Sequence, residues 1–366
     1  MKIAIIQDFL NQYGGAERVI ESLKELYPAA PIFTSIFLPK NLPASFGEYE
    51  VRTSFMQRLP FMEKHFKNYL LLYQRAIESF DLSGFDTILS SSSAFAKGAI
   101  PQKGVCHICY CYSPMRFVWE YQSYIKYEKI NPFYKLLLPF AIRHLKKWDL
   151  KTIKRVHYFV AISNYVRQKI KAFYGREADI IYPPVKVSFF EVKKKCDDFY
   201  LVVSRLNGYK RIDVAIEAFN KLGVPLLVVG TGPLEAHLKG LAAGNISFLG
   251  KVSEEDLRDL LSNCKGLIFP GKEDFGIAPV ESMASGRPVI AYAAGGALET
   301  VLDGITGVFF KRQTPESLYS AVLRFEKISF DPFKIRKHAE NFDEEVFKSK
   351  ISKYIEEKNT EFRSFS

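Results

Sequence analysis

The sequence predicts an α/β protein built from two doubly wound, parallel-sheet domains in tandem. Three observations carry this. The chain has 366 residues, too many for one ordinary domain and suited to two. Short apolar runs alternate with amphipathic stretches through the first half, the pattern of buried strands covered by helices. The alternation then restarts near Tyr200, after a break at Tyr182-Pro183-Pro184. With 48% apolar and 25% charged residues, both domains can bury full cores, which excludes a disordered chain. The domains are expected at residues 1–187 and 188–341, with 342–366 as a C-terminal helix.

Ile3 to Ile6 reads as the first buried strand, and Gly14-Gly15 opens a helix through about Leu26. Pro31 to Phe37 is the second strand candidate. Asp86 to Ser90, Lys97 to Ile100 and His107 to Tyr112 follow as further candidates. Tyr158 to Ile162 leads through Ser163, an N-cap residue type, into a helix over 164–173. Ile180-Ile181-Tyr182 closes the first domain. Asp8 stands at the carboxyl end of the first strand, where open α/β sheets bind substrates, and is a candidate acceptor contact. Gly14 and Gly15 let backbone approach a ligand closely, or serve only the turn.

The second half repeats the plan. Tyr200 to Val203 is a strand, its following loop presents Arg205 and Lys210, and a helix runs from Ile212 to Lys221. Leu226 to Val229 is the next strand, turning at Gly230-Thr231-Gly232-Pro233. Ile246 to Leu249 precedes Gly250, and Ser253 with Asp256 three residues on marks a helix start. The third glycine of a dinucleotide fingerprint is missing, and no acid follows at the ribose position, which argues against a dehydrogenase. Most informative is Cys264 to Glu281: an apolar strand, a turn over Gly271 to Gly276, and a helix with Pro279 in its first turn. The helix is expected to end at Gly286, and Val289 to Tyr292 to be the next strand. A loop of this kind aims free backbone N–H groups at a phosphate or sugar hydroxyl. Glu273 and Glu281, eight positions apart, can accept from two parts of one ligand.

At this point the chain resembles the retaining glycosyltransferases of family 4, through Glu273 and Glu281 with seven residues between them. Gly14-Gly15-Ala16-Glu17-Arg18, Tyr182-Pro183-Pro184-Val185, Ser204-Arg205-Leu206 to Lys210-Arg211, and Gly295-Gly296 with Glu299 add to the likeness. The resemblance covers nearly the whole chain. It implies the GT-B fold, two Rossmann-like domains facing across a cleft, the first for acceptor and the second for donor. It implies transfer of a hexose from a nucleotide-diphosphate sugar, GDP-mannose favoured and a UDP-sugar possible, to a lipid-linked or oligosaccharide acceptor in surface-polysaccharide assembly. By the same likeness Glu281 holds the donor's ribose diol, and Glu273 with the backbone of Phe275, Gly276, Ile277 and Ala278 holds the sugar. Val252 lies by the base, and Gly14 and Gly15 touch the diphosphate. Where related enzymes often place a histidine against the donor sugar, this chain has Tyr112, which can donate a hydrogen bond but cannot act as a base near neutral pH. The C-terminal helix, amphipathic through Phe347, Ile351 and Tyr354 with Lys348, Lys350 and Lys353 outside, either crosses back to the first domain, as in the family, or packs on its own. Asp343 is its candidate N-cap.

Arg205 and Lys210 suit two phosphates, where fixed cations stabilise a departing nucleoside diphosphate. No Asp-x-Asp pair is present, so no metal and no other cofactor is expected. Arg116 and Trp119 suit an anionic, sugar-bearing acceptor, or else are an ordinary structural Arg and core Trp.

Charge is unevenly spread. Residues 1–187 hold 26 Lys and Arg against 15 Asp and Glu, whereas 188–366 hold 25 of each, so the whole excess of +11 lies in the first half. Basic and apolar residues mix in Phe61 to Arg75, with Lys64 and Lys67, and in Tyr124 to Lys154. Each is either a face for an anionic membrane or an ordinary solvated helix face. A pI near 9.2 alone does not make a nucleic-acid binder, and the aromatic-interleaved pattern for single strands is absent. No apolar run reaches the ~20 residues of a membrane span. The start shows no signal-peptide core, which points to a cytoplasmic protein, soluble or peripheral. The five cysteines have no disulfide spacing; Cys106, Cys109 and Cys111 read as reduced thiols in a strand rather than metal ligands. Two other classes share the architecture: a sugar-nucleotide 2-epimerase, which needs no acceptor, and a noncatalytic nucleotide-sugar-binding protein.

Overall fold

The structure is a computed structural model that describes residues 1–121 and 132–365. It divides into two compact units, Met1–Pro184 with Phe347–Ser366, and Val185–Val346. In the first unit seven strands form one parallel sheet: β1 (Ile3–Gln7), β2 (Ile32–Thr34), β3 (Val51–Thr53), β4 (Thr87–Ser92), β5 (Cys106–Cys111), β6 (Tyr158–Ala161) and β7 (Asp179–Ile180). Their order is β3-β2-β1-β4-β5-β6-β7. Helices cover both faces of such a sheet, so its central strands are buried at every position, as β1, β4 and β5 are. Gln7, Thr87, Ser90–Ser92 and the hydrogen-bonded His107 are the polar exceptions among their apolar and thiol side chains. From β1 the chain steps outward to β2 and β3, then returns to β4 on the other side. That reversal puts the loops after β1 and β4 side by side at the carboxyl edge.

One strand expectation fails here. Lys97 to Ile100 contributes no strand; Ala96–Gly98 is a single 3₁₀ turn. Local apolarity misleads because Lys97 itself is buried, its ammonium 2.6 Å from Asp149 Oδ1 and donating to the Ala94 carbonyl at 2.5 Å. A strand would have aimed that charge into an apolar layer with no partner.

The second unit has six parallel strands: β8 (Tyr200–Val203), β9 (Leu226–Val229), β10 (Ile246–Gly250), β11 (Gly266–Phe269), β12 (Val289–Tyr292) and β13 (Gly307–Phe310), ordered β10-β9-β8-β11-β12-β13. This is the Rossmann order, with its switch point between β8 and β11. The helix Ile212–Leu222 packs Val214, Ala215, Ala218 and Phe219 into a core with Tyr200 and Phe325. Ser253 caps the helix Glu254–Asn263, its hydroxyl accepting from the Asp256 N–H at 3.0 Å. The short strand β13 is not among those expected from sequence, although Asp303-Gly304, with Gly304 at φ +77°, marks a turn just before it.

The helix Glu344–Phe365 runs into the first unit. Phe347, Ile351 and Ile355 are buried, the Phe347 ring lies 5.7 Å from that of Tyr110, and Tyr354 donates to Asp179 at 3.0 Å. Asp343 accepts from the Glu345 N–H at 3.0 Å, as a cap should. Lys350 faces solvent as its position in the pattern predicts, but Lys348 does not: it folds against Glu25, with only 14% of its side chain exposed.

His107 and the neighbouring thiols are core residues. Its Nδ1 faces the Arg155 carbonyl at 3.0 Å, so Nδ1 carries the proton, and Nε2 accepts from Ser90 at 2.9 Å. Burial, with His157 and Arg155 adding to it, lowers the imidazole pKa to about 3 against the one favourable bond to Arg155. Burial likewise lifts the Cys106 thiol to about 12. An unfolded His107 binds its proton near pH 6.5 and the folded one near 3. Its contribution to stability is therefore complete above 6.5 and falls by about 1.4 kcal/mol per pH unit as pH drops between those values. Urea titrations from pH 6.5 to 5 should show a shallower loss of stability in His107→Gln than in the parent. His157, also depressed by burial and by Arg176, keeps part of the slope.

Candidate functional site

In the second unit three loops leave the carboxyl ends of β8, β11 and β12. The first carries Arg205, exposed and, among the described residues, without a side-chain hydrogen-bond or ion-pair partner, then a 3₁₀ turn over Gly208–Lys210. Arg211, next to Lys210, is not part of the ligand-facing set. Held at φ +54°, its guanidinium clamps Asp213 with Nε at 3.1 Å and Nη2 at 2.9 Å, and donates to Gln313 at 3.3 Å. Gln313 in turn donates to the Pro270 carbonyl at 2.8 Å. This chain of bonds ties the root of the first loop to the root of the second.

Lys210 and Glu273 meet directly, Nζ to Oε1 at 2.5 Å, with 14% and 20% of their side chains exposed. The pair is open enough for a ligand to reach and closed enough for its charges to be felt. Glu273 is held from behind by the third loop. Its carbonyl accepts from the Gly296 N–H at 2.9 Å, and a Cβ on Gly295 would fall 2.2 Å from that same oxygen. A Cβ on Gly296 would sit 2.4 Å from Phe275 Cα. Only a glycine pair allows the two loops to lie this close.

Beyond Glu273, Phe275 is buried against Phe342, with ring centroids 5.8 Å apart. Gly276 turns the chain at φ +92°, a conformation open to glycine, and the helix Ile277–Ala284 begins. Ile277 and Ala278 are half-buried, and the first N–H groups of a helix have no intrahelical partner. Glu281 lies one turn in and is 4% exposed. Val252, two residues past β10, is half-buried at the same edge of the sheet. Two cations, a carboxylate pair and a helix N-terminus thus share the carboxyl edge around the switch point. The set can hold a diphosphate and the hydroxyls of an attached sugar.

The first unit changes two assignments. Asp8 is 1% exposed, and its carboxylate accepts from the N–H groups of Ser93, Ala94, Phe95 and Ala96 and from the Ser93 hydroxyl, all between 2.6 and 2.9 Å. With five donors on two oxygens it shapes the loop after β4 and has nothing left to offer an acceptor. The Tyr112 hydroxyl is likewise engaged, bonded to Ser91 at 2.7 Å and donating to the Ala16 carbonyl at 3.3 Å. These bonds tie the hydroxyl to β4 and to the start of the helix Gly15–Leu26, in competition with the sugar contact expected of it. Gly14 and Gly15 are half-buried at that helix start. Arg116 opens the short helix Arg116–Trp119 and is half-buried. Trp119 is a fixed structural residue, donating to Asp149 at 2.7 Å and stacked on Phe173 at 4.9 Å. The Tyr124 end of the basic segment lies outside the described residues. Among the described residues no three His, Cys, Asp or Glu side chains converge, and no helix is long and apolar enough to cross a membrane.

Known proteins match both halves. The model described as Glycosyltransferase Family 4 matches residues 13–189, and that described as Glycosyl transferases group 1 matches residues 186–349. The D-rhamnosyltransferase WbpZ of Pseudomonas aeruginosa is 28% identical over 200 residues, 51% of this chain and 52% of its own. The alpha-1,3/1,6-mannosyltransferase ALG2 of Dictyostelium discoideum is 34% identical over 182 residues, 42% of each chain. The chain thus spans about half the length of the curated relatives it matches. Anabaena Alr3699/HepE, solved in complex with UDP, superposes over 98% of this chain and 100% of its own, with a TM-score of 0.71 at 16% identity, which shows the GT-B fold. Two consecutive family matches over 13–349, on two Rossmann-like sheets, place the chain among the family 4, group 1 glycosyltransferases.

Proposed function

We propose that the protein is a retaining, metal-independent hexosyltransferase that moves a sugar from a nucleotide-diphosphate donor to a hydroxyl of a lipid-linked or oligosaccharide acceptor in surface-polysaccharide assembly. The observation that carries the reading is the Lys210–Glu273 pair beside the unpartnered Arg205, at the switch point of the second sheet. In this reading Arg205 and Lys210 neutralise the diphosphate, Glu273 and the N–H groups of 275–278 hold the sugar, and Glu281 accepts from the ribose diol. Val252 borders the base, and Gly14 and Gly15 approach the diphosphate. The acceptor oxygen bonds to the anomeric carbon as the carbon–oxygen bond to phosphate breaks. The nucleoside diphosphate leaves with the bonding pair, and its oxygen takes the acceptor proton on the same face, so the anomeric configuration is kept. The mannosyl- and rhamnosyltransferase relatives favour GDP-mannose; the UDP bound to a structural relative keeps a UDP-sugar in view. The basic first half, with Phe61 and Phe140 exposed, supports peripheral binding to an anionic membrane on the cytoplasmic side.

Thermal shift against a panel of nucleotide sugars tests the reading, since a ligand at a hundred times its Kd stabilises by about 2.7 kcal/mol. No shift with any UDP-, GDP- or ADP-hexose would sink it. Nuclear magnetic resonance of the product should show the donor's anomeric configuration. Epimer formation without acceptor would instead mark an epimerase, and donor binding without nucleotide release under any acceptor a binding protein. Glu281→Gln should raise the donor KM about 10- to 100-fold with kcat nearly unchanged, because a charged hydrogen bond made equally in ground and transition states contributes about 1.5–3 kcal/mol to binding.

A further inference from the structure

A second site is built into the first unit. The helix Pro132–Thr152 and the short helix Arg116–Trp119 enclose an open cavity of about 600 Å³. That volume falls in the range of small-molecule pockets, roughly 300–1,000 Å³. Arg143 and Lys146 line it, both exposed and three residues apart, so they stand one turn apart on the same helix face. Neither has a carboxylate partner among the described residues. Among the described lining residues the acid is Glu120, which is paired with Lys169 at 2.8 Å. Two like charges one turn apart repel, and an anion between them relieves that repulsion. Beside the cations the wall is apolar, formed by Pro139 and Ile142 on the same helix and by Val118 on the short one.

Lys146 does not hang from a loose surface. Lys146 Nζ lies 4.3 Å from the centroid of the Trp119 ring. That ring is locked by its stack on Phe173 and by its bond to Asp149, which is 0% exposed and also receives Tyr174 at 2.8 Å. Such a cavity sets positive charge beside apolar surface.

We infer that this cavity binds a phosphate ester bearing an apolar stem, the anionic end of the acceptor, with Arg143 and Lys146 on the phosphate and Val118, Pro139 and Ile142 along the stem. The inference rests on the transferase reading for its role, but its binding chemistry can be tested apart from it. Decyl phosphate, below its micelle concentration, is titrated into the full chain by calorimetry and tryptophan fluorescence. Decyl maltoside serves as the uncharged control and inorganic phosphate as the stemless one. Decyl phosphate should bind at least tenfold tighter than either control, and the double variant Arg143→Ala/Lys146→Ala should lose at least tenfold of that affinity while keeping the parent melting temperature. Equal binding of decyl maltoside, equal binding of inorganic phosphate, or undiminished decyl phosphate binding by the variant would each overturn the inference. Nucleotide-sugar thermal shifts on the same two proteins keep the failures apart: an absent donor response with intact decyl phosphate binding removes the transferase reading alone.

Discussion

Lys210→Ala is expected to lower kcat about 100- to 1,000-fold while leaving the donor KM within a few-fold of the parent. The size follows from what removal of one fixed donor to a developing oxyanion costs, about 2.7–4 kcal/mol. The ground-state diphosphate already carries charge, so some binding is lost too, but the charge that grows as the sugar leaves is met only in the transition state. Arg205→Ala should act in the same direction, and its unpartnered guanidinium makes it the cleaner test, since no internal bond is broken. With Lys210 the ion pair must be considered: alanine also strands Glu273, 2.5 Å away in the parent. The double variant with Glu273→Ala separates the effects. Should Glu273 serve chiefly to hold Lys210, the two losses will be far from additive. Arg211→Ala is the structural comparison. It frees Asp213 and Gln313 and loosens the loop roots, so it should lower the melting temperature and raise KM rather than act on kcat alone. Single-turnover rates with each variant make the check, and unchanged turnover in Arg205→Ala would refute its assignment.

The parts of this site that sequence could show were local ones. A strand, a glycine turn and a helix with an early proline are read within twenty residues, and β11, β12 and the Ser253 cap fall where that reading puts them. Parallel sheets also helped, because every loop after a strand emerges at one edge, so Arg205, Lys210 and Glu273 share that edge whatever their separation along the chain. What stayed hidden were partners distant in sequence. Asp8 was read at the right edge, yet its five donors come from residues 93–96, which no local pattern links to it. The bond from Gln313 to Pro270 spans 43 positions and leaves no periodic trace. Lys97 misled for the opposite reason: its neighbours are apolar, and the acid that allows its burial lies on a helix some fifty residues later.

That buried pair carries the largest expected effect on stability. Lys97 is 1% exposed and Asp149 0%, with the ammonium 2.6 Å from one carboxylate oxygen. Burial opposes the Lys97 charge, but the attraction and hydrogen bond of Asp149 outweigh it and hold the ammonium pKa above its ordinary value. Lys97→Met should therefore cost about 3–5 kcal/mol, since it leaves an uncompensated carboxylate in the core. In a unit of this size that lowers the melting temperature by on the order of 10 °C. Adding Asp149→Asn removes the stranded charge while keeping an amide oxygen for Trp119 and Tyr174, so the double variant should recover at least about 2 kcal/mol of the loss. A double variant no more stable than Lys97→Met would show that the deficit comes from lost packing and not from charge. The same pair couples to the cavity, because the other Asp149 oxygen orients Trp119 beneath Lys146. Decyl phosphate should accordingly bind more weakly to Lys97→Met and regain affinity in the double variant, in step with the recovery of stability.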